Sequence, residues 1–181
     1  MTAATEGVDQ AALPFGLERE SHIDMQRHAP WRRRAVVLVM AAFCVLALFN
    51  VFGQVAHVDH ADAAGAALTV ESPERLRGGD IFTSVITLTA HQPIQDARVV
   101  LTPGWFSGFT LNAAAPQSNQ ESSTQDGSIL DYGQLDAGAT MPIWISWQVN
   151  PTTVGEKDQD VQIFDGPKEI TAVHRSVYIF P

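Results

Sequence analysis

Fifteen consecutive apolar residues, AVVLVMAAFCVLALF from Ala35 to Phe49, follow directly on Arg32, Arg33 and Arg34. A helix that is apolar all round has no face to give to water, so it must be covered by a protein core or by lipid. From Ala35 to Ala56 the run has 22 residues, with Asn50 and Gln54 its only strongly polar ones. At ~1.5 Å per residue that is about 33 Å of helix, against a hydrocarbon core of about 30 Å. The stretch 35–56 is therefore expected to be a transmembrane helix. No Lys or Arg follows it until Arg75, and this positive-inside asymmetry places the N-terminus in the cytoplasm and the C-terminal part outside the membrane. Asn50 and Gln54 would offer hydrogen bonds to a neighbouring span. A cleaved secretory signal is the rival for the same run, because Ala61-Asp62-Ala63 has the A-x-A form; the 34 residues before the run are long for such a signal.

Charge divides the chain in the same way. Residues 1–34 carry five basic and five acidic residues, whereas from Gln54 onward there are six basic and fifteen acidic, which accounts for the whole net charge of -9. An exported part this acidic argues against nucleic acid as a partner, since phosphate binding needs a basic face. One Cys in 181 residues excludes a disulfide framework. That Cys, Cys44, lies inside the apolar run, so the exported part has no thiolate for blue copper. No cofactor is expected. Residues 1–34 hold scattered charges with Gly7, Pro14, Gly16 and Pro30 and no apolar period, which is the composition of a disordered cytoplasmic leader. A short helical turn over Leu17 to Arg27 is its only periodic part, and His22 and His28, six apart, are not spaced as ligands on a helix.

After a juxtamembrane linker at 57–66, the exported domain spans 67–181. Its pattern is strand alternation broken by turn residues. In IFTSVITLTA, Phe82, Ser84, Ile86 and Leu88 share a face; in IQDARVVL, Ala97, Val99 and Leu101 do so; in MPIWISWQV, Ile143, Ile145, Trp147 and Val149 do so. DVQIF and EITAVHRSVYIF are separated by the turn Asp165-Gly166-Pro167. The expectation is all-β, an antiparallel β-sandwich of about seven to nine strands. The stretch from Ala113 to Gly127, rich in Gln, Ser and Asn, is expected to be a mobile loop.

The order GGDIFTSVITLTA, IQDARVVLTPGWFSGFTLNAAAPQ, GSILDYGQLDAGATMPIWISWQVNP resembles the bacterial surface-exposed immunoglobulin-like modules of the DUF11/CARDB type over residues 68–150. Pro103-Gly104-Trp105 matches the proline-glycine-aromatic turn that one of their strands carries, and Gly133, Leu135 and Gly138 match their G-x-L-x-x-G corner. The resemblance implies an immunoglobulin-like sandwich and specifies architecture far more than activity. The chain differs from those modules in its single copy, its preceding anchor and a hairpin-like extension over Val154 to Pro181. Independently of any family, Gly133 and Gly138 suit positive φ while Leu135 would plug the end of the core.

Candidate chemistry is sparse. His57, Asp59, His60 and Asp62 offer two imidazoles and two carboxylates within six residues, a donor set for zinc or copper if a fold fixes them; the alternative is a hydrated linker. His91 and His174 lie far apart in sequence. Glu156, Asp158 and Asp160 form an acidic run without the Gly and terminal Glu of an EF-hand loop. Ser107, in W-F-S-G, lacks the first Gly of a nucleophile elbow. Aromatic residues are the remaining signal: Trp105, Phe106 and Trp144 either fill the core or form a contact patch. The sequence thus points to a non-enzymatic single-pass protein of the cell membrane that presents a sandwich to an integral membrane or extracytoplasmic protein as an accessory subunit. A metal-binding or metal-delivery protein using the His/Asp cluster is the alternative.

Overall fold

The computed structural model describes residues 29–51 and 53–181, which divide into two units between Leu48 and Phe49. The expectations for the leader before Ala29 lie outside the described residues. In the first unit the described residues form one helix, α1 (Ala29–Leu48), exposed along its apolar length, with Val37, Leu38, Met40 and Phe43 all more than 60% accessible. The helix begins earlier and ends earlier than the predicted span 35–56. It takes in the three arginines and stops at Leu48, where Asn50 turns the chain with a φ of 53° and its carbonyl accepts from the Gly53 amide at 3.1 Å. Asn50 and Gln54 therefore lie beyond the helix rather than within it. The apolar part of α1, Ala35 to Leu48, is fourteen residues, about 21 Å long. No helix among the described residues is long and apolar enough to cross a membrane.

The second unit is built from strands. β1 (Ala56–Asp62), β2 (Ala66–Pro73), β4 (Ile81–Ala90), β9 (Thr140–Val149) and β6 (Phe109–Ala115) form one antiparallel sheet in the order β1-β2-β4-β9-β6. β12 (Lys168–Val173), β11 (Val161–Asp165), β5 (Ile94–Leu101), β8 (Gly127–Leu135) and β7 (Gln120–Thr124) form a second, in the order β12-β11-β5-β8-β7. A small third sheet joins β10 (Gly155–Asp158), β13 (Ser176–Phe180) and β3 (Arg75–Arg77).

One core of buried residues draws on all three sheets. Leu68, Ile86, Ile143 and Ile145 come from the first, Val99, Leu101, Val161 and Ile163 from the second, and Leu76, Val177 and Ile179 from the third. The fold is thus all-β and sandwich-like, as the alternation in β4 and β9 requires, since each of these strands buries every second residue, while β5 buries Ala97, Val99 and Leu101 with Val100 besides.

Three expectations need correction. The stretch 57–66 is not a flexible linker: Ala56–Asp62 pairs residue by residue with β2, from Ala56 opposite Pro73 to Asp62 opposite Ala67. The loop predicted over 113–127 contains the end of β6 and all of β7, an edge strand with every side chain exposed, so no hydrophobic alternation marks it. Val154 to Pro181 is no appendage, because β11 pairs with β5 inside the second sheet and buries Val161 and Ile163. These segments raise the strand count above the expected seven to nine, to thirteen among the described residues. At the corner, Gly133 and Gly138 adopt φ of 72° and 81°, and Leu135 packs partly buried against the core.

Candidate functional site

The residues with most chemistry gather where β1 meets the junction of β2 and β3. Strand alternation divides the predicted cluster in two. His57 and Asp59 lie on the side of β1 that carries Ala61 against the core, whereas His60 and Asp62 lie on the other. His60 Nδ1 is 3.0 Å from Thr69 Oγ1 across the β1–β2 ladder, and Asp62 Oδ1 is 2.8 Å from His91 Nε2. The four residues read together in the sequence are therefore not brought together by the fold.

Glu74 replaces the missing pair. The antiparallel register sets His57 opposite Ser72, so the chain just beyond Pro73 runs beside it. His57 Nε2 lies 3.6 Å from Asp59 Oδ1 and 3.5 Å from Glu74 Oε1, and the three ligand atoms are all within 4.8 Å of one another. His57 and Glu74 are about half exposed, while Asp59 is largely covered.

What covers Asp59 is Arg175, whose side chain is 1% accessible. Its Nε donates to Asp59 Oδ2 at 3.1 Å, Nη1 donates to Gln159 Oε1 at 2.8 Å, and Nη2 donates to the carbonyls of Ser72 and Pro73, both at 3.1 Å. The guanidinium also lies over the Trp105 ring, 5.7 Å from its centroid. Burial draws the Arg175 guanidinium below its usual range, and the hydrogen bond and charge of Asp59, with the charge of Glu74, oppose that pull. A guanidinium supplies five donors in a rigid fork, so one side chain ties β1, the end of β2 and the β10–β11 connection together. Asp160 extends the network: its carboxylate accepts from the Arg175 amide at 3.2 Å, and its carbonyl accepts from Trp105 Nε1 at 3.0 Å.

The aromatic candidates separate cleanly. Trp105 is fully buried and stacks on Trp147 at 5.4 Å between centroids, which removes it from any contact patch. Phe106 is 36% exposed and meets Trp147 edge to face at 5.5 Å. Trp144 is 48% exposed on the outer face of the first sheet, with Val85 opposite it on β4 and Ala115 opposite it on β6. Around it stand Thr83, Thr87, Pro142 and Ser146. No charged residue occurs anywhere in β4, β9 or β6, although the chain as a whole carries a net charge of -9. Among the described strands β6 is also an edge of that sheet.

No protein-family model matches the chain, and no curated protein matches it either. Among solved structures it is similar to a FixG-related protein from Vibrio parahaemolyticus, at 14% identity over 67% of this chain and 100% of that one, with a TM-score of 0.35. It is also similar to a family 123 glycoside hydrolase from Clostridium perfringens, at 11% identity over 57% of this chain and 21% of that one, with a TM-score of 0.35. The secreted serine protease VesC from Vibrio cholerae is 17% identical over 64% of this chain and 23% of that one, with a TM-score of 0.32. Likenesses at this level carry nothing about activity.

Proposed function

We propose that the protein is a non-enzymatic, membrane-anchored accessory subunit that presents its β-sandwich, through the outer face of the first sheet, to an extracytoplasmic or integral membrane protein. The observation that carries the reading is the uncharged surface of β4, β9 and β6 around the exposed Trp144. Charged side chains are depleted and aromatic ones enriched at the centres of protein interfaces, because a buried charge must give up its hydration and a Trp buries a large area at small entropic cost. The edge strand β6 adds a row of backbone groups that an incoming strand can join. An immunoglobulin-like architecture of the DUF11/CARDB type fits this presenting role and belongs to the same proposal.

The anchor is α1. Its apolar side chains from Val36 to Phe43 are exposed on all sides, and an apolar surface of that extent calls for lipid or protein cover. The apolar length of about 21 Å is short for a full crossing. Arg32, Arg33 and Arg34, all within α1, extend the reach by laying their methylene stems along the hydrocarbon with their charges at the headgroups. This orientation keeps the N-terminus in the cytoplasm.

Alkaline carbonate washing of membranes containing the full chain tests the anchor. The protein stays with the pellet, and external protease digests the sandwich only from the extracytoplasmic side. Release into the supernatant, or a mature mass lacking residues 1–63, overturns the anchored reading.

A further inference from the structure

We propose that His57, Asp59 and Glu74 form a mononuclear site for a divalent first-row transition ion of the zinc type. The inference does not depend on the partner contact through Trp144.

Geometry is the first support. Two ligands bound to one ion at ~2.0–2.2 Å, at a tetrahedral angle, stand about 3.3–3.6 Å apart. His57 Nε2 lies 3.6 Å from Asp59 Oδ1 and 3.5 Å from Glu74 Oε1. Two of the three pairs thus already stand at ligand spacing, and the third, Asp59 with Glu74, lies within 4.8 Å, so the half-exposed Glu74 side chain closes the set by turning toward the ion.

Orientation is the second. A ligating carboxylate is best held when its other oxygen is fixed by a neighbour. Asp59 meets that condition: Oδ2 accepts from the buried Arg175 guanidinium at 3.1 Å, which turns Oδ1 toward His57. Arg175 is itself locked by Gln159, Ser72 and Pro73, so the orientation is inherited from the core.

The donor set selects the ion. One imidazole with two carboxylates suits a borderline transition ion. Calcium requires six to eight oxygen ligands and magnesium retains most of its water, so neither is served by this trio. Three protein ligands leave a fourth position open. His57 and Glu74 line a cavity of about 290 Å³ with Asn50, Val51, Gly53 and Arg75, which gives water or an exchanging ligand access to that position. The arrangement is that of an exchangeable site rather than a closed structural one.

Isothermal titration of the full chain with Zn²⁺ tests the site, using protein in mild detergent, stripped of metal and purified without a polyhistidine tag. The expected result is one equivalent bound, with affinity at least tenfold lower in His57→Ala and in Glu74→Gln. His60→Ala and Asp62→Asn, on the other face of β1, leave binding unchanged. Zn²⁺ raises the thermal midpoint of the parent chain and not that of Glu74→Gln, whose half-exposed side chain can change without loss of folding; should His57→Ala fail to fold, Glu74→Gln alone decides. A hundredfold excess of Ca²⁺ does not displace the ion. Absence of saturable binding, survival of binding in Glu74→Gln, its loss in His60→Ala, or displacement by Ca²⁺ would each overturn the assignment.

Discussion

Replacing Arg175 by methionine removes a side chain that joins β1, the end of β2 and the β10–β11 connection. Methionine fills much of the volume, so the loss is mainly polar. Asp59 loses its guanidinium partner, Gln159 Oε1 loses its donor inside the core, and the carbonyls of Ser72 and Pro73 lose theirs. Removing one member of a buried ion pair costs about 3–5 kcal/mol, and each buried acceptor left unsatisfied costs roughly 1–3 kcal/mol. Two effects reduce the sum. The variant no longer desolvates a guanidinium, and Asp59, at 21% side-chain exposure, regains some water. The net expectation is about 4 kcal/mol, a large share of the ~5–15 kcal/mol that holds an ordinary domain folded. For a unit the size of Phe49–Pro181 that corresponds to roughly 12–20 °C in the thermal midpoint. Urea unfolding followed by Trp fluorescence measures it, since Arg175 lies over Trp105. Arg175→Lys retains the charge but not the fork, and should lose about half as much. A cycle with Asp59→Asn should return a coupling of about 1.5–3 kcal/mol. A loss below ~1 kcal/mol in Arg175→Met would refute the view that this guanidinium fixes β1 to the sandwich.

Further predictions concern other parts of the fold. Burial, and after it the charge of Glu121, push the Tyr132 phenol up to about 12, and its hydroxyl has no hydrogen-bond partner. The unfolded chain loses that proton near pH ~10 while the folded state keeps it, so stability is level below ~10 and falls as pH rises toward ~12, by about 1–2 kcal/mol after allowing for partial solvent access. Tyr132→Phe should abolish this slope in alkaline unfolding curves while changing stability at neutral pH by less than ~1 kcal/mol. A Cβ on Gly104 would lie 1.6 Å from the Asp158 carbonyl oxygen; Gly104→Ala is expected to cost about 2–3 kcal/mol in urea unfolding, because backbone must move to admit it. Trp144→Ala should change the free energy of urea unfolding by less than ~1 kcal/mol yet weaken capture of a membrane partner at least tenfold, about 1.4 kcal/mol.

Sequence reasoning succeeded where a strand has one wet face and one dry one. β4 and β9 bury Phe82, Ile86, Leu88, Ile143, Ile145 and Trp147, and period-two alternation records this directly. It failed at β1, whose single β-branched residue is Val58 and whose composition is that of a hydrated linker. That strand is held by β2 and by Arg175, a partner 116 residues away from Asp59, which no local window contains. β7 was missed because an exposed edge strand has no apolar face to alternate. The candidate site was half legible. His57 and Asp59 stood out, but counting neighbours in sequence added His60 and Asp62, which alternation sends to the opposite face, and overlooked Glu74. The signal that finds Glu74 is the β1–β2 hairpin, closed at the Ala63 to Gly65 turn by the Ala63 amide on the Ala66 carbonyl at 3.1 Å. Folding the chain back there sets His57 opposite Ser72, two residues from Glu74. Trp105 was equally undecidable from its neighbours, since its burial depends on stacking against Trp147 from another strand.

The central claim, that the outer face of the first sheet meets a partner at the membrane, is tested most directly by site-specific photo-crosslinking in native membranes. A photoreactive phenylalanine analogue replaces Trp144 in the full chain, and a control places it at Phe164, on the outer face of the second sheet. The predicted result is one discrete protein adduct from position 144 and none from position 164. No protein adduct from position 144, or the same adducts from both positions, would contradict it.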